Sequence, residues 1–385
     1  MCLQILLVLV ALTSLRPAIA QKESHCETSC GSVTINYPFG SGKDCYYSPD
    51  FLVTCNRSLD VPTPFYQNTD LPITNMYRNT SEIEVMVYVA KDCYDNFGKR
   101  IYDESFDTYY SMTLTNFRIS TKNRLVAIGC DTFAAINGTI GNESVSTGCS
   151  STCGGNSHIK NGSCSGVGCC QVAIPKGMSS YDFSLTSFNN HTNISDFNPC
   201  SYALVVHEEK FNFSSNYLFD FRTTEMRPML LEWAIGNETC DIARKDTEKF
   251  LCKGHSECDR SYEGPGYRCR CSEGYEGNPY IASNCTNINE CEQNIHGCID
   301  QANCIDKEGT YMCSCKKGYS GDGRKDGTGC TFDKSLVVEI SICTSVSVIV
   351  LLILKLMGCL KVADAWLRFL VTQSFDHANI YELSS

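Results

Sequence analysis

The sequence is poor in the residues most enzyme chemistry needs. Among 385 residues there are seven histidines and two tryptophans, and only 19% of side chains are charged. The histidines are scattered, and neither H-x-x-x-H nor G-x-S-x-G occurs, which excludes the zinc-protease and nucleophile-elbow signatures. There is no Gly-rich phosphate loop, no V-A-I-K lysine, no H-R-D and no D-F-G, so this chain carries no kinase machinery. Basic residues are scarce as well. Gln21 to Lys334 holds 28 Lys and Arg against 39 Asp and Glu, a net of −11 (28 − 39), and that balance argues against a nucleic-acid partner. Long apolar runs are limited to one near each end, and no long amphipathic helix is legible between residues 26 and 236. The chain reads as a non-enzyme.

What is abundant is cysteine, with 27 residues. Cys2, Cys343 and Cys359 lie in or near the apolar runs, and the other twenty-four, Cys26 to Cys330, form an even set. A reducing cytosol does not accumulate so many thiols, so the compartment is oxidising. The N-terminal "MCLQILLVLVALTSLRPAIA" agrees: an apolar run followed by Ala18-Ile19-Ala20 reads as a signal peptide, residues 1–20. Asn-x-Ser/Thr sequons begin at Asn56, Asn79, Asn137, Asn142, Asn161, Asn190, Asn193, Asn212 and Asn237, with a weaker one at Asn284, whose middle residue is Cys285. They mark an exported glycoprotein surface. The second apolar run, Ser335 to Leu354, is long enough to cross a bilayer. Lys355, Lys361 and Arg368 follow it, which places the tail, 355–385, in the cytoplasm. The expectation is a single-pass type I protein of the plasma membrane.

Between these ends, residues 26–236 carry short β-prone runs separated by Gly, Asn, Asp and Ser: 84–90, 125–130, 170–175, 202–213 and 230–236. Such runs predict a mainly β, disulfide-rich fold, in one domain or in two with a seam near 149–170. Residues 240–285 and 291–330 then repeat a pattern of six cysteines. Neither repeat is long enough to hold itself together by core burial, so disulfides must supply the stability, each on the order of 2–4 kcal/mol. Spacing alone leaves fifteen connectivities open for six cysteines.

The C-x-C pair in each repeat, followed by "GYEG" or "GYSG", resembles the epidermal-growth-factor-like (EGF-like) module. The resemblance implies Cys240–Cys258, Cys252–Cys269 and Cys271–Cys285, then Cys291–Cys304, Cys298–Cys313 and Cys315–Cys330. The second repeat resembles the calcium-binding version, through Asn287-Ile288-Asn289-Glu290-Cys291 and Cys304-Ile305-Asp306 with Tyr311-Met312-Cys313 downstream. Side-chain oxygens of Asn287, Glu290 and Asp306, and in that family the backbone carbonyls of Ile288, Lys307 and Thr310, would hold a structural Ca2+. Calcium is a hard ion that takes six to eight oxygens. The first ligand position, usually Asp, is Asn287 here, so affinity at the weak extracellular end, roughly 10⁻⁴–10⁻³ M, is expected. The first repeat lacks the pattern, since "GNET" precedes Cys240.

"CGSVTINYPFG" (30–40) is the second specific signal, with "GVGCCQVAIPKG", "PCSYALVVHEEKFNFS", "EWAIGNETC" and "GPGYRCRCSEGYEGNPY" downstream in the same order. Together they resemble the ectodomain of plant wall-associated receptor kinases, which starts with a galacturonan-binding domain. The resemblance implies pectin or an oligogalacturonide as ligand, at the cell wall. A polyanion needs Lys and Arg to pair with its carboxylates. The richest stretches offer Lys91, Lys99 and Arg100, then Arg118, Lys122 and Arg124. Scattered charge is more often an ordinary solvated face than a site, and Tyr37-Pro38-Phe39 is expected in core or turn packing rather than as a sugar platform. Two functions stay open. One is a pectin- and calcium-binding, receptor-like surface protein with no kinase of its own. The other is a structural protein whose EGF-like modules hold a receptor kinase or another protein, or a truncated product of a wall-associated receptor kinase gene.

Overall fold

The computed structural model describes residues 26–101, 111–221, 226–332 and 334–380. The expected signal peptide, 1–20, and the last five residues of the tail lie outside these. Strand dominates, as the β-branched and aromatic runs predict. The chain forms two compact units, one of residues up to 272 with 276–286, the other of 273–275 with 287–385.

Three larger antiparallel sheets build most of the first unit, with two-stranded ones beside them. The five-stranded sheet runs in the order Cys169–Ala173, Asn123–Ile128, Cys200–His207, Ala90–Tyr94, Arg100–Ile101. Every residue of Cys200–His207 is buried. The two-residue period explains how: Leu125, Ala127, Ala203 and Val205 enter one core, while Val126, Ile128, Tyr202, Leu204 and Val206 enter another on the opposite face. A strand covered on both faces reads as a continuous apolar run, which is what "YALVV" is. The run expected over 202–213 ends at His207, where Glu208–Lys210 turns as a short 3-10 segment.

The second sheet runs Phe117–Ile119, Arg227–Trp233, Glu82–Val87, Ile73–Tyr77. The third runs Glu143–Thr152, Asp131–Ile140, Ser180–Thr186, Ser111–Thr113. The sheets pack around an aromatic cluster in which Phe39 and Phe51 lie 5.1 Å apart and 5.4 and 5.7 Å from Trp233. Tyr37-Pro38-Phe39 thus supplies packing from Phe39 and Pro38, with Tyr37 half-buried beside it. Six disulfides brace this region: Cys26–Cys45, Cys30–Cys55, Cys93–Cys200, Cys130–Cys153, Cys149–Cys170 and Cys164–Cys169. Cys149–Cys170 ties the third sheet to the five-stranded one, so the loop-rich stretch 149–170 is clamped at both ends.

The first cysteine repeat belongs to this unit. Its pairs are Cys240–Cys258, Cys252–Cys269 and Cys271–Cys285. Ile235 and Tyr267 exchange two backbone hydrogen bonds at 2.9 and 3.1 Å, and Phe250, Tyr267 and Tyr280 join the core that holds Trp233. Arg268 donates to the carbonyl of Trp233 at 2.8 Å, and Tyr280 packs 5.2 Å from its ring. Gly266 permits the approach: its φ is +84°, and a Cβ there would lie 2.4 Å from the carbonyl oxygen of Gly236.

The second unit carries Cys291–Cys304, Cys298–Cys313 and Cys315–Cys330 around the hairpin Ala302–Lys307/Thr310–Cys315. Its C-terminal helix runs Lys334–Ile380, and Thr344–Thr372, with a mean hydropathy of 2.3 in its most apolar window, is long and apolar enough to cross a membrane. The helix continues beyond Leu354, where the apolar run ends. Residues 355–371 contain no proline and one glycine, so nothing local stops it.

Candidate functional site

The first unit holds two cavities large enough for a ligand. One, of about 600 Å³, is lined by Asp131, Thr152, Phe188, His191 and Asn193 among others. Its buried polar groups, Asp131 and His191, are already committed. The Asp131 carboxylate accepts from Ser187 and from the backbone N–H groups of Phe188, Asn189 and His191. His191 is fully buried, with Nδ1 2.7 Å from the Asn198 carbonyl, Nε2 2.9 Å from the Ser201 hydroxyl, and its ring stacked on Tyr94. Burial lowers its pKa, although the Asn198 carbonyl and the Asp131 and Asp92 charges pull the other way. Burial, then the hydrogen bond to Asp92, push Tyr94 up to about 12. This is a satisfied structural network.

The other cavity, a groove of about 530 Å³, differs. One wall is the start of the chain, with Glu27, Asn36, Tyr37, Asp44 and Arg78; the other is the first cysteine repeat, with Asn278, Ile281 and Asn284. Asn278 is buried and joins the walls: its Nδ2 donates to the Tyr37 carbonyl at 2.6 Å, and its backbone N–H donates to Asn284 Oδ1 at 2.7 Å. Burial, then the neighbouring Tyr47, raise the Tyr37 pKa. Asn36, Tyr37 and Asn278 fall in stretches that carried the family resemblance, but no sequence signal marked Glu27, Asp44 or Arg78. Arg78 stands alone in "YRNT", and nothing in the spacing brings residue 278 to residue 37.

The six basic residues singled out from the sequence do not gather here. Lys91, Lys99 and Arg100 lie on or beside the Ala90–Tyr94/Arg100–Ile101 edge of the five-stranded sheet. Arg100 pairs with the buried Asp92 at 2.5 Å, Lys122 with the buried Glu82 at 2.7 Å, and Arg124 with Glu208 at 2.9 Å. Arg118 donates to the carbonyls of Thr115 and Phe117, and burial lowers its pKa. Charges spent on the protein's own carboxylates offer less to a ligand. The nine sequon asparagines all lie outside the cores: seven are exposed, and Asn56 and Asn137 are half-buried.

In the second unit, Asn287 Nδ2 lies 3.1 and 3.3 Å from the two carboxylate oxygens of Asp306, and its Oδ1 accepts from the Gly309 N–H. Lys307 and Thr310 face each other at the end of the hairpin, and the Ile288 N–H donates to the Gly274 carbonyl at 2.9 Å. Glu290 is buried, and its Oε2 has no hydrogen-bond partner. A buried carboxylate oxygen without a partner is costly, and a hard cation is the kind of group that would satisfy it. His296, Cys298 and Cys304 also cluster, but both sulfurs are in disulfides and offer no thiolate.

These features define a disulfide-braced, extracellular-type binding protein. Residues 26–87 match the family described as wall-associated receptor kinase galacturonan-binding, and residues 291–325 match the EGF domain. The chain is 39% identical over 306 residues to wall-associated receptor kinase 2 of Arabidopsis thaliana, covering 78% of this chain and 40% of that protein. It is 35% identical over 319 residues to wall-associated receptor kinase 1 (80% and 41%), and 25% identical over 337 residues to wall-associated receptor kinase-like 10 (75% and 42%), both from the same plant. It thus spans about two fifths of the length of these relatives. About four fifths of the chain is thus homologous to wall-associated receptor kinases, and the two matched domains are binding modules rather than catalytic ones.

Proposed function

We propose that the protein is a membrane-tethered, receptor-like binder of cell-wall pectin at the plasma membrane, with Ca2+ as a structural ion in its second EGF-like module. The match of residues 26–87 to the galacturonan-binding family carries the first part of this reading. Because the chain is acidic overall, recognition of a polyanion rests on local cations and hydroxyl contacts rather than on net charge. The full chain in detergent micelles is expected to be retained on polygalacturonate beads at physiological salt. Absence of retention would remove pectin as the ligand and leave the protein-interaction reading.

Asn287, Glu290 and Asp306 would hold the ion through side-chain oxygens, and the disulfides position both halves of the site before binding. The ion would supply the positive charge that the buried Glu290 carboxylate lacks. Calorimetric titration of the full chain with Ca2+ is expected to give a dissociation constant of roughly 10⁻⁴–10⁻³ M. Glu290→Gln is expected to weaken it at least about tenfold, since it removes one of two carboxylates. A wild-type titration without binding heat, and with no chelator-dependent change in proteolysis of 287–330, would eliminate the calcium role.

A further inference from the structure

Resting on the pectin reading above, we propose that the acidic sugar chain is held in the groove between the galacturonan-binding segment and the first EGF-like module, with Arg78 receiving a uronate carboxylate and the module forming one wall. The reason is an unusual convergence of unspent polar groups. Among the described residues, the side chains of Asn36, Tyr37, Asp44 and Arg78 make no hydrogen bond or ion pair with the protein, yet all four line one cavity. A fifth group, Glu27, gives one oxygen to Arg57 at 2.6 Å and leaves its buried Oε2 without a partner. Asp44 and Arg78 are exposed and Asn36 and Tyr37 half-buried, so water holds their polar atoms in the free protein and a ligand can reach them.

The chemistry of the set selects its ligand. Arg78 supplies a planar, bidentate cation suited to a carboxylate. Asp44 and Glu27 are acceptors for sugar hydroxyls, and Asn36 and the Tyr37 hydroxyl both donate and accept. The half-buried Tyr37 ring and the exposed Ile281 provide apolar surface for a sugar face. The groove's volume, about 530 Å³, lies within the ~300–1,000 Å³ typical of ligand sites. A uniformly basic cleft would suit any polyanion. One free guanidinium among hydroxyl-binding groups suits a hydroxyl-rich chain that carries carboxylates.

Asn278 is the positioning residue. It is buried, its amide is spent on the Tyr37 carbonyl, and its backbone N–H fixes Asn284, so it sets the spacing between the walls. The first EGF-like module is thereby part of the sugar site and not a spacer behind it.

The test measures oligogalacturonide affinity of the full chain in detergent, glycosylated and enzymatically deglycosylated, because the Asn284 sequon borders the groove. Arg78→Gln and Ile281→Glu are expected to weaken binding at least tenfold. Lys160→Gln removes an equal charge elsewhere, and Ile242→Glu places a charge on the same module outside the groove; both are expected to bind within twofold of wild type. Unchanged Trp233 fluorescence verifies the fold of each variant. If wild type binds and Arg78→Gln or Ile281→Glu binds equally well, the groove assignment is wrong while the pectin reading stands. If Lys160→Gln loses as much as Arg78→Gln, attraction is non-specific and the groove is again overturned. If wild type does not bind at all, both readings fall.

Discussion

Tyr280→Ala is expected to unfold the sheets that pack against the first EGF-like module more readily than the module that carries the substitution. Tyr280 is 4% exposed, its ring lies 5.2 Å from Trp233, and its hydroxyl accepts the Cys269 N–H at 3.1 Å. Truncating a buried aromatic costs about 3–5 kcal/mol, through lost transfer energy and the cavity left behind. Against a typical total of about 5–15 kcal/mol, that is a large share. The module stays stapled, because Cys252–Cys269 and Cys271–Cys285 do not depend on the ring. The sheet that carries Trp233 has no cysteine in any of its four strands, and the aromatic cluster of Phe39, Phe51 and Trp233 loses one side of its packing. The readout is direct: of the two tryptophans only Trp233 lies in the sheets, so in a Trp366→Phe background it alone reports. The denaturation midpoint should fall, with a red-shifted Trp233 emission, under non-reducing conditions. Tyr280→Phe should lose only about 1 kcal/mol, the net worth of its hydrogen bond. If the alanine variant unfolds at the wild-type midpoint, the module is merely adjacent to the sheets.

Asp131→Ala is the second large expected effect. The loop 187–191 turns through consecutive left-handed residues, Asn190 at φ 51° and His191 at φ 54°. Neither is glycine, so the turn costs on the order of 1–2 kcal/mol per residue and needs an external hold. Asp131, 6% exposed, is that hold, accepting from the backbone N–H groups of Phe188, Asn189 and His191 at 3.1, 2.8 and 3.1 Å and from the Ser187 hydroxyl. Removing the acceptor strands these donors at about 1–3 kcal/mol each, less where water from the adjacent cavity reaches them, so a net loss of about 2–4 kcal/mol is expected. Hydrogen exchange should accelerate across 187–194 before it does elsewhere.

The same carboxylate carries a pH dependence. Burial by itself raises its pKa, but the Ser187 hydroxyl and the N–H groups of Asn189 and His191 outweigh burial and leave it lowered. A depressed carboxyl contributes stability that is present above its unfolded-state value of about 3.9 and lost as pH falls through the lower folded-state value. Loop protection in wild type should therefore fade in that acid window, and the alanine variant should show no such fading. Equal acid sensitivity in both proteins would assign the effect to other groups.

Local sequence determined a good deal. Twenty-four cysteines pointed to disulfides, because so many thiols do not accumulate in a reducing compartment, and all twenty-four are paired. The "YALVV" run marks a strand, and the structure buries it on both faces. The six-cysteine repeats came with a pairing through their family resemblance, and the disulfides of both repeats follow that pairing. Charge density singled out Lys91, Lys99, Arg100, Arg118, Lys122 and Arg124, and of these Arg100, Lys122 and Arg124 are paired with acidic residues of the chain.

Tertiary structure alone decided where free chemistry remains. A cation's availability depends on which carboxylate the fold brings to it, and those partners lie up to 126 positions away, as with Lys210 and Glu84 (210 − 84). Arg78, in an unremarkable "YRNT", is left unpaired at a groove whose far wall begins 200 positions later at Asn278 (278 − 78). Sequence carries the residue types and their local periods. It does not carry the subtraction that folding performs when it satisfies some polar groups with one another and leaves the remainder facing a ligand.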